Sequence, residues 1–241
     1  MRYLLNIGNT HTQLGAQNGS DVKLLETWNS PALTEGVLTA CLQDYIPEHE
    51  IRVACVVPQL RKELEQRYNK NIYFVSEKSY PQIDFSHYDT RTLGADRIAN
   101  AGAAYAFYGG PVMVIDCGTA ITTEIITKDG KFLGGAILPG RQMLRRALHM
   151  FTAQLPEVPM RSNKPSVIGN STTQAIFAGV DLGVLGAIKE IIQSAQKIPA
   201  LQNCKMITVG GDASYFTEHI EHLQMGQKYL TLQGLAIMEI A

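Results

Sequence analysis

This chain predicts a duplicated α/β fold, two similar halves facing each other across a cleft, and three observations point to it. The first is the stretch Gly94–Thr123, where an acidic residue opens a helix, a buried strand follows, and a Gly–Thr turn closes the unit. Its strand, Val112–Ile115, is an apolar run rich in Val, as expected where both faces are covered. It ends in Asp116-Cys117-Gly118-Thr119, where backbone can approach a ligand and hydroxyls can bind it. A carboxylate at a strand end followed by Gly and Thr suits a phosphate and its cation. The second observation is that Tyr3–Thr12 repeats this plan: Asn6, Gly8 and Thr12 match Asp116, Gly118 and Thr122 position for position. The third is that Asn18-Gly19 and Asp129-Gly130, each a hairpin signal, follow the two turns at nearly equal distances. Two unrelated β-hairpins are the plain alternative, and three matched positions with matched hairpins weigh against it.

At 241 residues the chain can form one large or two medium domains, and the repeat sets the expected division at 1–109 and 110–241. A net charge of −1 and a pI near 6.6 give no electrostatic drive towards nucleic acid or an anionic membrane. Residues 1–15 show no basic start followed by a long apolar segment, and Ala101–Ile115 is interrupted by Gly109-Gly110-Pro111, so neither a signal peptide nor a membrane span is expected. Cys41, Cys55, Cys117 and Cys204 sit singly in apolar surroundings without metal spacing, which fits reduced core thiols in a cytoplasmic protein.

In order, Arg2–Ile7 is a strand entering the first turn, and Gln13–Ala16 and Val22–Trp28 continue a meander. Pro31–Tyr45 reads as a helix through the stripe Leu33, Val37, Leu38, Cys41 and Leu42. Strand Ile51–Val57, helix Gln59–Asn69 and strand Ile72–Val75 follow. The polar stretch Ser76–Thr92 then feeds directly into Gly94, a placement typical of substrate loops. Helix Arg97–Tyr108 is rich in Ala and Gly and so can pack closely against another element. Beyond the second turn come strand Glu124–Thr127, hairpin Lys128–Lys131 and the shaped segment Gly134-Gly135-Ala136-Ile137-Leu138-Pro139-Gly140. Helix Arg141–Ala153 carries Arg141, Arg145 and Arg146, which read as a solvated face. Ser171-Thr172-Thr173 starts a long helix, Gln174–Gln196, of core or interface pattern. Strand Lys205–Val209 ends in Gly210-Gly211-Asp212-Ala213, placed to accept a nucleoside or to cap the next helix, and Leu232–Ile240 closes the chain as a helix.

Asp96 has two readings. It is a first-turn carboxylate favoured by free amides and the helix dipole, or a general base at a cleft with Arg97 beside it to hold an anion. His219 and His222, three apart on an expected helix, read as surface histidines because no third zinc ligand is near. Cys117 has no His partner in sequence and does not read as a nucleophile.

The motifs Asn6-Ile7-Gly8-Asn9-Thr10, Gly94-Ala95-Asp96-Arg97, Asp116-Cys117-Gly118-Thr119-Ala120, Gly134–Gly140 and Gly210-Gly211-Asp212-Ala213 occur in an order that resembles type III pantothenate kinases, over nearly the whole chain. That resemblance implies two duplicated actin-like (ribonuclease H-like) α/β domains, each with a mixed sheet flanked by helices, and an ATP cleft between them. It implies ATP-dependent phosphorylation of pantothenate to 4'-phosphopantothenate, the first step of coenzyme A biosynthesis. It places Asn6, Ile7, Gly8, Asn9, Thr10, His11, Thr12 and Gln13 around the ATP phosphates, with Thr119 as a further ATP contact. It gives Asp116 a monovalent cation, K+ or NH4+, with Mg2+ accompanying the nucleotide. It assigns Tyr88, Gly94, Ala95, Asp96, Arg97 and Thr172 to pantothenate, with Asp96 as the base and Thr172 supplied by the second subunit of a homodimer.

Two departures stand out. Tyr88 lies one residue closer to the Gly94–Arg97 motif than the family spacing. Asn6 occupies a position where the family has Asp, and an amide ligates through its oxygen but brings no charge and cannot act as a base. Two rivals therefore remain beside the pantothenate kinase: a kinase for another small alcohol on the same fold, and a catalytically impaired regulatory paralogue.

Overall fold

The computed structural model describes residues 1–34, 36–45, 49–68 and 70–240. The chain divides into two units, one of Met1–Gly109, Gly130–Leu133 and Lys228–Ala241, the other of Gly110–Asp129 and Gly134–Gln227.

In the first unit β1 (Arg2–Ile7), β2 (His11–Asn18) and β3 (Asp21–Asn29) form an antiparallel meander. The chain continues through α1 (Val37–Leu42) to β4 (Glu50–Cys55), parallel to β1, then through α2 (Pro58–Arg67) to β5 (Ile72–Phe74), giving the order β3-β2-β1-β4-β5. Successive side chains alternate between faces. Tyr3, Leu5, Ile7, Ile51, Val53 and Cys55 point to a core shared with Leu38, Leu42, Leu60 and Leu64. The opposite parity, Leu4, Asn6, Arg52 and Ala54, belongs to the face covered by α3 (Ala95–Tyr108) and α8 (Leu230–Ile237). The helix expected over Pro31–Tyr45 is confined to α1, because Gly36 takes φ 81 and breaks the run, while the Glu63 carboxylate accepts from the Gly36 and Thr39 amides. Glu35, within that expected helix, and Asn69, the expected end of the next one, lie outside the described residues.

The close packing that the small residues of α3 permit is realised with α8 and Tyr80. The Tyr80 ring lies where a Cβ on Gly102 would be, and its hydroxyl donates to the Gly234 carbonyl at 2.8 Å. A Cβ on Gly234 would collide with the Ala99 carbonyl, and Thr231 Oγ1 donates to Asn100 Oδ1 at 2.8 Å. The last carbonyls of a helix have no partner within it. Here buried Arg52 reaches across and donates Nη1 to the carbonyls of Leu235, Ala236 and Met238 at 3.1, 3.0 and 2.7 Å.

The second unit repeats the topology. Strands β6 (Val112–Cys117) and β7 (Ala120–Ile126) are antiparallel, and the chain passes through β8 (Phe132–Gly134) to β9 (Ile137–Pro139), which pairs with β7. Helix α4 (Arg141–Met150) comes next, and α5 (Thr172–Phe177) then runs through a π turn at Ala178–Leu182 into α6 (Gly183–Gln196). Strand β10 (Lys205–Val209), parallel to β6, helix α7 (Ala213–His219) and strand β11 (Gln224–Met225) complete it. Met113, Ile115 and Cys117 pack with Val184, Leu185, Ile188, Tyr215 and Phe216.

The duplication carries one correction in register. Asn6 lies opposite Gln13, whereas Asp116 lies opposite Thr122, so Thr12 and Thr122 are not equivalent. The first turn holds one residue more: Gly8 donates its amide to the His11 carbonyl, and Gly118 donates to that of Ala120. Among the described residues no helix is long and apolar enough to cross a membrane.

Candidate active site

In the first unit, the strand alternation places Asn6 on the face that carries α3. The turn after it is held to β4, since the Val56 amide donates to the Ile7 carbonyl at 3.0 Å. Val56 also lies 3.7 Å from where a Gly94 Cβ would stand, so Gly94 and the first turn of α3 sit next to the same strand end. Asn6 Oδ1 is buried with no hydrogen-bond partner. Of its neighbours in the turn, Gly8 and Thr10 are half-buried, Asn9 and His11 are exposed, and Thr12 is buried with its hydroxyl on Ser30 Oγ at 2.8 Å. Gln13 is half-buried opposite Asn6.

Asp96 is half-buried in the first turn of α3, after the N-cap Gly94, and accepts the Arg97 amide at 2.8 Å, one of the free amides of the helix start. Burial holds its carboxyl above the usual carboxylate range, against the opposing pull of the Arg97 amide and charge. A Cβ at Gly94 would stand 2.5 Å from Asp96 Oδ1, so only glycine leaves this carboxylate its place. Arg97, buried, donates Nη1 to the Tyr88 hydroxyl at 3.4 Å. The Tyr88 ring meets the Phe132 ring edge-on at 5.3 Å, and Phe132 donates its amide to Asp84. The loop before Gly94 is thus anchored, and it brings Tyr88 to Arg97 despite the shortened spacing.

In the second unit, Asp116 is half-buried at the end of β6, and Gly118 and Thr119 are exposed in the turn. Two glycine segments press on this turn. Gly210, at φ 94, lies so close that a Cβ would be 2.6 Å from both Asp116 Oδ1 and the Cys117 carbonyl. A Cβ at Gly140 would clash with the Gly118 carbonyl, and the Gly140 amide donates to the Thr119 carbonyl at 3.0 Å. Gly135 meets the Thr123 carbonyl in the same way, while the Ala136 amide donates to Thr123 Oγ1 at 2.7 Å. The Asp116–Thr119 turn is therefore packed by backbone on these sides, with no side chains of the two glycine residues in the way. Thr172 is exposed, next to Ser171, whose Oγ caps α5 by accepting the Gln174 amide.

The solvated arginine face does not exist as expected. Arg146 is exposed, but Arg141 and Arg145 are each 1 % exposed and engage Asp181 and Asp212. A charge pattern on a short helix does not show that its carboxylate partners lie 36 to 71 residues away. His222 likewise falls beyond α7, with φ 66, so the two histidines do not share a helix. No group of three His, Cys, Asp or Glu side chains suited to a metal converges among the described residues. All four cysteines are free, and burial pushes the Cys117 thiol far up, against a nucleophilic role.

Comparison with known proteins completes the picture. A family profile for type III pantothenate kinase matches residues 3–194. The chain is 34 % identical to a type III pantothenate kinase of Roseiflexus sp. (strain RS-1), over 99 % of this chain and 98 % of that protein. It is 32 % identical to the one from Endomicrobium trichonymphae, over 97 % and 96 %. A Campylobacter jejuni crystal structure described as a Baf family transcriptional activator shares its fold, with TM-score 0.64 and 23 % identity over 97 % of this chain and 95 % of that one. So does the activator of the 2-hydroxyisocaproyl-CoA dehydratase from Clostridium difficile with bound ADPNP, with TM-score 0.53 and 14 % identity over 98 % and 93 %.

Proposed function

We propose the following division of labour for this chain, which belongs to the type III pantothenate kinase family and phosphorylates pantothenate in coenzyme A biosynthesis. Asp96 is the general base. A primary alcohol is a poor nucleophile, and a carboxylate within reach accepts its proton as the bond to phosphorus forms. The observation that carries this is the half-buried Asp96 carboxyl, cleared by Gly94 and raised in pKa towards a value useful for proton transfer. Arg97 and Tyr88 hold the acceptor, the guanidinium pairing with the pantothenate carboxylate in a forked contact, together with the backbone of Gly94 and Ala95. Asn6, Ile7, Gly8, Asn9, Thr10, His11, Thr12 and Gln13 take the ATP phosphates, and Thr119 adds a hydroxyl.

Two cations belong to this reading, and the residues fit them. The orphaned, buried Asn6 oxygen is an acceptor suited to the sphere of Mg2+. Asp116, a half-buried carboxylate at the end of β6 beside the exposed Gly118 and Thr119, suits a monovalent cation, K+ or NH4+. When bound, these ions neutralise phosphate charge. The protein's own part is to present Asn6 and Asp116 from rigid strand ends, so that little reorganisation accompanies transfer. Free thiols stay reduced in the cytoplasm, which supports that location for the reaction.

A homodimer completes the reading, with Thr172 reaching the second copy's pantothenate. Ile137, Met150, Phe151, Val167 and Ile168, all in the second unit, are each at least 65 % exposed, and a covering second copy would account for apolar side chains left so open. Static light scattering at micromolar concentration should return twice the chain mass of 26.5 kDa; a monomer mass in an active preparation would remove the dimer.

The reading is tested by presenting purified protein with ATP and pantothenate beside a panel of other small alcohols and sugars, in potassium and then in sodium. Pantothenate should be the preferred acceptor, and potassium should support the higher rate. Asn6 allows a sharper test of the same site. Exchanging the neutral ligand for a charged one should lower the Mg2+ concentration giving half-maximal activity in Asn6→Asp, by about tenfold for a gain near 1.4 kcal/mol. An unchanged or weaker magnesium response would show that Asn6 is no metal ligand.

A further inference from the structure

The buried cluster around Arg141 has no part in the division of labour above. Arg141 donates Nε to Asp181 Oδ1 at 2.9 Å and Nη1 to both oxygens of Asp212 at 2.8 and 3.0 Å. It donates Nη2 to the Arg161 carbonyl at 2.5 Å, and its guanidinium lies 3.4 Å over the Tyr215 ring. Arg145 donates to the same Asp181 oxygen, so two arginines and two aspartates balance within the second unit. Asp181 itself sits in the π turn between α5 and α6, an irregularity that turns a helix face locally and recurs at functional positions.

The backbone partners of this cluster give it meaning. Arg141 directly follows Gly140, whose amide is on the Thr119 carbonyl; the Asp212 amide donates to the Cys117 carbonyl at 3.0 Å. The path Thr119, Gly140, Arg141, Asp212, Cys117 is therefore a closed ring around the Asp116–Thr119 turn, and its only side-chain link is the Arg141–Asp212 ion pair. The two glycine segments already meet the turn through those backbone bonds and through the pairing of β9 with β7 and of β10 with β6, and this ion pair ties the two segments to each other.

We infer that Arg141 is a positioning residue for phosphoryl transfer: through Asp212 it clasps the two glycine segments around the Asp116–Thr119 turn and fixes that turn for the nucleotide. This rests on the assignment of Thr119 to ATP. Arg141 is 1 % exposed and so acts without touching substrate. A link that fixes the nucleotide turn alone affects ATP and leaves the acceptor site in the first unit untouched. A link that merely stabilises the unit lowers activity and thermal stability together and does not separate the two substrates.

Steady-state kinetics with each substrate varied in turn, on Asp212→Ala, Asp212→Asn and Arg141→Lys, separate these cases, with Tm measured on each. Asp212→Ala should raise KM for ATP about tenfold, the size of one lost charge-assisted pair, with KM for pantothenate unchanged. Asp212→Asn keeps an acceptor oxygen for Arg141 and should fall between Ala and the natural residue. Arg141→Lys keeps the charge but loses the fork, and should show the same ATP-selective rise, which a direct contact of Asp212 with nucleotide would not produce. Thr119→Val serves as the reference for the site. If it raises KM for ATP while folded Asp212→Ala stays within twofold of the natural protein, the clasp is overturned and the site stands. If neither moves KM for ATP, the assignment of Thr119 falls and takes the clasp with it. Should Arg141→Lys fail to fold, the Asp212 pair decides, because that side chain is partly exposed and its loss leaves Asp181 still paired with both arginines.

Discussion

Asp96→Asn is expected to lower kcat by about two to four orders of magnitude, the usual worth of a positioned general base, while ATP affinity measured by calorimetry stays near that of the natural protein. The amide keeps the shape of the side chain and one acceptor oxygen, so the bond from the Arg97 amide survives. Stability follows from the sign of the pKa shift. The folded state holds the Asp96 proton more tightly than the unfolded chain does. Its contribution therefore favours folding below the unfolded value of about 3.9 and is lost as pH rises from there through the raised native value. At neutral pH the ionised carboxylate is a net cost, and Asp96→Asn should melt no lower than the natural protein. A variant with near-normal turnover would reduce Asp96 to a helix cap. One that is inactive but melts well below the natural protein would instead point to a structural role.

Arg52→Met should have the largest effect on stability. The methionine fills similar volume but leaves the carbonyls of Leu235, Ala236 and Met238 without the donor that serves all three. Stranding buried acceptors in this way costs about 1–3 kcal/mol each at most. With partial rescue by water, a loss of about 3 kcal/mol and a fall in Tm of roughly 10 °C are expected for a chain of this size. Well below that temperature kcat should be close to normal, because Arg52 lies near the start of β4, whereas Gly94 and the first turn of α3 lie by Val56, beyond its other end. A Tm within 2 °C of the natural protein would show that the C-terminus of α8 is held by other means.

Much of this architecture was legible because the signals are local. Apolar runs such as Val112–Ile115, the Asn-Gly and Asp-Gly hairpins, and the repeated strand-turn plan each fix structure within about ten residues. The glycine-rich segment before Arg141 was legible as shaped, but its use was not. Gly135 and Gly140 are required by carbonyls of Thr123 and Gly118, which belong to another strand and its turn. The buried arginines were misread for the same reason: an Arg three or four residues from another on a helix looks solvated until a distant Asp181 and Asp212 are seen to meet it. The one-residue difference between the two turns was also hidden, since identical letters at Thr12 and Thr122 suggest an equivalence that the hydrogen-bond register denies. The place of Tyr88 required the loop to be seen folded against Phe132.

The grip of Arg52 on the end of α8 has a consequence for the order in which the protein is made. A ribosome produces β1 to β5 and α3 first, yet α8, which shares the Leu4 and Arg52 face with α3, begins more than a hundred residues after α3 ends. At roughly 5–20 residues per second, translation leaves the α8 part of that face bare for several seconds to tens of seconds after its strands exist. The second unit, contiguous apart from Gly130–Leu133, has no such wait between its own elements. The unit whose synthesis starts first thus waits longest for a helix of its own, and a chain lacking α8 would leave the Leu4 and Arg52 face only half covered.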